Sequence, residues 1–542
     1  MTPLAPIGAR LAPLLCLTLL LAACGDSNDA GDPGRTAGGG PPVIVVGIDG
    51  AEWEVIEPMM AAGELPNFRR FVDEGAYGHL INPGPQVSPV VWTTFATGHF
   101  GRDHGVLDFV YPFTDVRQKQ PVDSTLRRQP AIWNLASRHG LSSTVIGYFV
   151  SYPAEPIDGR MYTDRAWRMV DGSHHPPSLE EESREIKAAV LDEIEPVRKR
   201  FLPWEYAPAQ AEDPNNPYYR AARMVAGRLD RQIPVEEYLR RVTLAELDRP
   251  GDLFITYFRL VDYVGHSLWF WHDASDYDEQ PADRERELLG GAVRESYRYM
   301  DEILGDILDR HAGKANILVI SDHGFGSATG RYAVRPERAD LLTGNHRADG
   351  VYLAHGPAFA PGRHEGITIM EIMPTLAVLL GVPVSDELPG GIFYDLLAED
   401  FLAESPPTFV AAYARDWQRA EGIELDAAAE QDAMESLRGL GYVGDGVAFG
   451  DATDGGAGFY DSEAGLVAVH VTGEITYHLL RGDVAAADAV MAELVRHRPE
   501  LRKQVLARIR VKIDFFRNDV PAMADAAPAT EEFIQRHAEQ AG

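Results

Sequence analysis

The sequence predicts an α/β layered fold with a mostly parallel central sheet flanked by helices. Three observations predict it. Short β-branched apolar runs at Val43–Ile48 (VIVVGI), 253–257 (LFITY) and 317–320 (ILVI) read as strands buried on both faces. Helical stretches such as 65–74 and 294–311 lie between them, and this alternation builds a parallel sheet covered by helices. The chain also has 542 residues, 45% hydrophobic and 24% charged, which is ample for a large core and excludes a disordered, collagen-like or polytopic membrane protein. Asp and Glu number 82 against 50 Lys and Arg, a formal charge of −32 that repels phosphate backbones and argues against binding nucleic acid as a polymer.

In chain order, the first element is an address. Residues 11–23 are apolar apart from Thr18 and follow Arg10; thirteen residues are too few to span a bilayer but suit the apolar part of a signal peptide. They end in Leu21-Ala22-Ala23-Cys24, which resembles a bacterial lipobox. The resemblance implies cleavage after residue 23, acylation of Cys24 and membrane attachment through that lipid. Gly25, rather than Asp, after the cysteine fits the outer membrane, facing the periplasm or the cell surface. Residues 24–40 then read as a flexible tether, rich in Gly and Asp without apolar periodicity. The two cysteines of the chain are Cys16 and Cys24, so no disulfide framework holds the folded part together.

The strand at Val43–Ile48 ends in Asp49-Gly50, and the strand at 317–320 ends in Ser321-Asp322-His323-Gly324. Polar clusters there sit where open α/β sheets gather ligands, at the carboxyl ends of strands. Residues 132–147 still read as helix then strand. The charged, helix-rich stretch around them, about 113–250, with aromatic patches Trp204-Glu205-Tyr206 and Tyr218-Tyr219, is expected to form an inserted helical cap. After about residue 399 the composition turns Ala- and Glu-rich, predicting an all-α C-terminal region over 399–542. Within it Tyr477, Gly482-Asp483, Ala487, Met491 and Pro499 fall at spacings similar to those of a tetratricopeptide repeat, near 470–500. A generic helical tail, with a protein partner on its helices, is the plainer reading.

Four clusters carry chemistry: Asp49; Ser88 in QVSPVVWTTFATG; Asp262 with His266 in YFRLVDYVGHSLW; and Asp322-His323 in VISDHGFG, joined by His346 in TGNHR. Singly each has a bland explanation. An Asp after a strand caps a helix, and an i,i+4 Asp–His pair shares a helix face and forms a hydrogen bond. Jointly, three aspartates and three histidines beside a serine make two mixed oxygen–nitrogen metal sites. Such sets suit Zn²⁺, with Mn²⁺ or another divalent metal as the alternative.

These residues resemble the alkaline phosphatase superfamily, in particular its type I phosphodiesterase/nucleotide pyrophosphatase branch, over residues 41–398. GRDHGV at 101–106, LAHGP at 353–357, IMPTL at 372–376 and LGVP at 380–383 extend the likeness. The resemblance implies an alkaline-phosphatase-like core and two zinc ions. It implies that one ion is held by Asp262, His266 and His346, the other by Asp49, Asp322, His323 and the nucleophile. Ser88 takes the nucleophile's register, ten residues before Gly98, with Thr93 and Thr94 as rival hydroxyls. The implied activity is hydrolysis of a phosphodiester through a covalent Ser88 intermediate, the substrate being a phosphate ester. The alternatives are a phosphomonoesterase of the same superfamily and a non-catalytic envelope scaffold. Two departures bear on the substrate. Pro89 follows Ser88 where nucleotide pyrophosphatases commonly carry a base-stacking aromatic, and Phe109 stands at the register of their phosphate-contacting Asn. The sulfatase pattern of Pro two residues and Arg four residues after the nucleophile is absent from Ser88-Pro89-Val90-Val91-Trp92. Trp92, Phe109, Tyr257, Trp269 and Trp271 either line an apolar leaving-group pocket or belong to the core.

Overall fold

The computed structural model describes residues 40–111, 120–201, 215, 229–327, 343–415, 463–519 and 527–539, with short pieces between 417 and 448. The signal segment, Cys24, most of the tether and the patches at 204–206 and 218–219 lie outside the described residues.

Alternating side chains set the architecture. In β1 (Val43–Ile48), Val43 and Val45 enter one apolar cluster while Ile44, Val46 and Ile48 enter the other, so the strand is sealed on both faces. The same split divides the other central strands. The strands of the sheet are β1, β2 (Ala76–Ile81), β3 (Ser143–Ile146), β4 (Gly159–Tyr162), β5 (His174–His175), β6 (Leu253–Phe258), β7 (Asn316–Ile320), β10 (Asp349–His355) and β11 (Gly362–Arg363). A separate hairpin, β8 (Gly324–Ser327) and β9 (Gly344–Arg347), lies between β7 and β10 in the chain. The nine-stranded sheet has the order β11-β2-β10-β7-β1-β6-β3-β4-β5. The block β7-β1-β6-β3-β4 is parallel throughout, with Val46 beside both Thr256 and Val319. Strands β10 and β5 run antiparallel to their neighbours.

Within the stretch 113–250, expected to form a helical cap around a helix and strand at 132–147, β3 is that strand, and β4 and β5 join it at one edge of the sheet. The apolar members of residues 143–146 (STVI) feed both core clusters beside β6. The helical part of that stretch includes Leu179–Glu193 and α4 (Asp230–Glu246). Other helices that matter for the site are α1 (Trp53–Ala61), α2 (Pro66–Glu74), α3 (Ser88–Thr97), α5 (Leu260–His272), α6 (Ala292–His311) and α7 (Ile372–Leu379).

The C-terminal part holds α8 (Glu463–Leu480), α9 (Val484–His497), α10 (Arg502–Asp519) and α11 (Ala527–Glu539). It is not wholly helical after residue 399. Phe409–Val410 pairs with Val384–Ser385, and Val443–Gly444 pairs with Val447–Ala448, β-branched valines favouring each short strand. Asp483 caps α9 by accepting from the Ala486 N–H, and Ala487 and Met491 are fully buried between the helices. The helices share an apolar cluster that includes Ile81 and Ala348 of the sheet region, so the tail packs onto the rest of the molecule. Among the described residues no helix is long and apolar enough to cross a membrane.

Candidate active site

The three central parallel strands all end at one place. β1 runs into Asp49, β7 into Asp322-His323, and β6 into α5, whose first turn carries Asp262 and whose second carries His266. The hairpin β8/β9 brings His346 over them, with Phe325 paired opposite. Asp49 and Gly50 fit because Gly50 has φ +75; a Cβ there would also lie 3.2 Å from the Asp262 Cα.

The imidazoles are oriented from behind. Each Nδ1 faces a backbone carbonyl: His266 with Gly344 at 2.9 Å, His323 with Gly324 at 2.9 Å, and His346 with Gln86 at 3.3 Å. A carbonyl only accepts, so Nδ1 carries the donated proton and each ring turns its Nε2 inward. Those atoms converge. His266 Nε2 and His346 Nε2 are 2.8 Å apart, and both lie 3.2 Å from Asp262 Oδ1. His323 Nε2 lies 3.1 Å from Asp49 Oδ1, 3.5 Å from Asp322 Oδ2 and 4.0 Å from Asp262 Oδ1.

Two groups of ligand atoms result: Asp262, His266 and His346, and Asp49, Asp262 and His323. The first is the trio expected from the sequence. The second differs by placing Asp262 where Asp322 was expected. The Asp262 carboxylate stands between the two groups because β6 flanks β1 on the side opposite β7. Asp322 remains adjacent, through its contact with His323.

The sequence of residues 43–370 matches the family described as type I phosphodiesterase / nucleotide pyrophosphatase. The chain belongs to that family. Phosphodiesterases and nucleotide pyrophosphatases of this kind form a branch of the alkaline phosphatase superfamily, and the chain is a hydrolase acting on phosphoric ester bonds. Solved structures with related chain paths include murine ectonucleotide pyrophosphatase/phosphodiesterase 5, an inactive variant in complex with AMP. It is 14% identical at a TM-score of 0.39, over 66% of this chain and 100% of that one. The human counterpart is 14% identical at a TM-score of 0.38, over 66% of this chain and 99% of that one. Phosphonoacetate hydrolase from Sinorhizobium meliloti, in complex with phosphonoformate, is 16% identical at 0.33, over 53% and 57%. No curated protein matches the chain. The family match alone carries the assignment.

The electrostatics of this phosphodiesterase-family site fit divalent cations. Burial and the charge of Asp49 push the Asp322 carboxyl well above the usual range. Burial works against the protonated His323 ring, but Asp322 and Asp49 outweigh it and drive the ring up to about 10. Burial and the charge of His323 lower His346 to about 4. Burial opposes the charged Asp262, yet His266 and His346 hold it well below the carboxylate range. The rise of Asp322 beside Asp49 and the fall of His346 beside His323 mark buried like charges held close together. Buried atoms without a hydrogen-bond partner gather there as well: Asp49 Oδ1, both Asp322 carboxylate oxygens and His323 Nε2; Ser88 Oγ, two residues after Gln86, is likewise without one. Buried carboxylates and inward ring nitrogens are what a cation would satisfy.

Ser88 opens α3 and is 1% exposed. The rival hydroxyls are occupied: Thr93 Oγ1 donates to the Pro89 carbonyl at 2.6 Å, and Thr94 Oγ1 meets His104 Nε2 at 3.2 Å. The loop before Ser88 is tied to the site twice. Asn82 Nδ2 donates to the Asp322 carbonyl at 3.1 Å, and the Gln86 carbonyl faces His346.

The aromatic residues expected around a leaving-group pocket are core. Trp92 is fully buried against Tyr257, with ring centroids 4.5 Å apart, and Phe109 packs on Phe149 at 6.1 Å. Trp269 and Trp271 are also buried, Trp269 against Phe325. Tyr257 has a different use: its hydroxyl donates to Asp49 Oδ2 and fixes that carboxylate. Sequence reasoning missed several supports. Phe325 packs edge-on against His266, with centroids 4.8 Å apart, and its N–H donates to Glu52 at 2.9 Å. Glu236 of α4 accepts from the Arg259 N–H at 3.1 Å, capping the helix that carries Asp262 and His266. Only proximity in space connects Glu236 to the site; Glu52 follows Asp49 by three residues, but nothing local marks its bond to the Phe325 N–H.

Proposed function

We propose that the protein is a two-metal phosphoesterase that cleaves a phosphodiester by way of Ser88. The observation that carries this reading is the convergence of three imidazole Nε2 atoms on buried carboxylates, with the partnerless hydroxyl of Ser88 two residues after Gln86, whose carbonyl faces His346. Asp262, His266 and His346 would hold one ion, and Asp49, Asp322, His323 and Ser88 Oγ the other, with Asp262 close to both. Zn²⁺ suits this mixture of carboxylate and imidazole, with Mn²⁺ the main competitor. Bound there, two divalent ions would activate a hydroxyl, stabilise charge on the attacking and leaving oxygens, and outweigh the three aspartates.

The chain's own residues account for the rest. Ser88 Oγ forms the new bond to phosphorus as the ester oxygen of the leaving alcohol departs; water then opens the Ser88 phosphoester, with net retention at phosphorus. Ser88 lies at the N-terminus of a ten-residue helix, whose dipole favours negative charge developing there. The Nδ1 bonds to backbone carbonyls keep all three imidazoles turned towards the site, and Tyr257 fixes Asp49.

Hydrolysis of bis(p-nitrophenyl) phosphate against p-nitrophenyl phosphate, with added Zn²⁺, tests the reading. The diester is expected to be preferred, and Ser88→Ala to lose about 10³-fold or more in kcat while keeping its metal. Preference for the monoester would make the protein a phosphomonoesterase, and an unchanged Ser88→Ala would remove the covalent step. Elemental analysis is expected to find close to two ions per chain. The N-terminal motif supports a further proposal, that the mature protein is lipid-anchored at Cys24 in the cell envelope, at the outer membrane. Palmitate labelling lost in Cys24→Ala is the expected result, and equal labelling of both proteins would overturn it.

A further inference from the structure

Arg259 follows the last residue of β6 and precedes Asp262 by three positions. Its guanidinium lies over two aromatic rings, 5.0 Å from the Phe149 centroid and 5.5 Å from that of Tyr257. Among the described residues it makes no ion pair and donates no side-chain hydrogen bond, and its Nε is buried without a partner. The carboxylates nearest in charge are Glu236, whose Oε1 is also buried without a partner, and Asp164; neither bonds the guanidinium. Glu236 Oε2 accepts from the Arg259 backbone N–H, and Asp164 accepts from Val150 and Tyr152 at 3.1 and 3.0 Å. Tyr263 is the other group facing it. The residue as a whole is partly buried.

A guanidinium stacked on aromatic faces keeps its in-plane N–H donors free, and this planar fork matches the oxygens of phosphate or carboxylate. A charge so placed leaves several donors unsatisfied unless an anion arrives. Its position connects it to the reaction. The Tyr257 ring that carries Arg259 on its face is the ring whose hydroxyl holds Asp49. An anion at Arg259 would therefore sit one aromatic ring away from the group that would be cleaved.

We propose that Arg259, held on the faces of Phe149 and Tyr257, is a specificity-determining residue whose guanidinium binds a second anionic group, phosphate or carboxylate, on the phosphoester substrate. The proposal rests on the phosphoesterase reading and adds to it the charge of the substrate. Titration calorimetry on metal-loaded protein tests it with methylphosphonate, methylenediphosphonate and phosphonoacetate, the metal content being measured in each preparation. The wild type is expected to bind one of the two doubly anionic probes at least 10-fold more tightly than methylphosphonate, and that probe identifies the second group. In Arg259→Gln the preference should fall to about two-fold or less. Arg259→Lys, which keeps the charge but not the fork, should retain an intermediate preference. The same preference in Arg259→Gln as in the wild type, or none in the wild type, overturns the subsite. A protein that hydrolyses bis(p-nitrophenyl) phosphate but shows no preference loses the subsite alone. One that hydrolyses no ester and binds none of the probes loses both readings.

Discussion

A hydroxyl buried without a partner costs the folded state roughly 1–3 kcal/mol, so Ser88 Oγ stands out against Thr93 and Thr94, whose oxygens are used locally. The contrast separates three hydroxyls that the sequence left in competition. Tyr257 is the residue whose role moved furthest, from pocket wall to support of Asp49. Tyr257→Phe removes one oxygen and leaves the ring packing against Trp92 intact. The expected outcome is a metal affinity weakened about 10- to 100-fold, read by titration with a competing chelator, with little change in melting temperature. An unchanged affinity would leave Tyr257 a packing residue. The aspartates and histidines were legible because chemistry restricts which residue types hold metals. Tyr257 was not, because an aromatic at the end of a buried strand looks the same whether or not its hydroxyl has work at the site.

At the scale of elements, the loop that leads to Ser88 is held from two directions. Asn82 binds it to the end of β7, and the C-terminal helices press on its other side. Lys512 of α10 donates to the Pro83 carbonyl at 2.9 Å, and Gly473 of α8 packs so closely that a Cβ there would lie 2.2 Å from the Gly84 carbonyl oxygen. Because the obstacle is backbone, Gly473→Val is expected to cost about 1–3 kcal/mol in a denaturant melt and to lower kcat by shifting the loop. A variant as stable and active as the wild type would show that the loop tolerates displacement. The same interface carries a pH dependence. Burial pushes Glu474 of α8 from its ordinary 4.5 to about 7; pairing with Arg102 at 2.7 Å opposes the rise, and Asp103 and Glu493 add to it. The folded state therefore holds this proton more tightly than the unfolded state. Its contribution is fully present below about 4.5 and is lost as pH rises through about 7. Thermal melts from pH 5 to 8 should fall more steeply for the wild type than for Glu474→Gln, by at most about 3 kcal/mol. Parallel curves would place the titration elsewhere. The helices themselves were legible in composition; that Asp483 caps α9 is a finding of the structure. Their docking on the Ser88 loop was not, since it depends on glycines and a lysine far apart in the chain.

Across the whole molecule, the site exists because β7, β1 and β6 are neighbours in one parallel sheet and end together. The three buried aspartates then lie close enough to raise one another's cost, which a bound cation would relieve. Chelation is accordingly expected to lower the melting temperature by several degrees, and readdition of Zn²⁺ to restore it; a ligand at 100 times its Kd adds about 2.7 kcal/mol. A melt indifferent to chelator would argue against occupied metal sites in the purified protein. The strand expected within 132–147 is β3, which buries both faces beside β6; β4 and β5, from the stretch read as a helical cap, extend the same edge of the sheet.

By itself the sequence determined the fold class, the strand ends that bear the polar clusters, and the donor types that suit a metal site in a phosphoesterase. These follow from patterns local in the chain: apolar runs sealed on both faces, turns after strands, and side chains able to bind a cation. Only the tertiary structure decided that Asp262 stands between the two ligand groups, that Ser88 and not Thr93 or Thr94 keeps a free hydroxyl, and that Glu236, Phe325 and the C-terminal helices support the site. Those facts are set by strand order and by packing between segments up to hundreds of residues apart, and strand order is a property of the assembled sheet that no local pattern encodes.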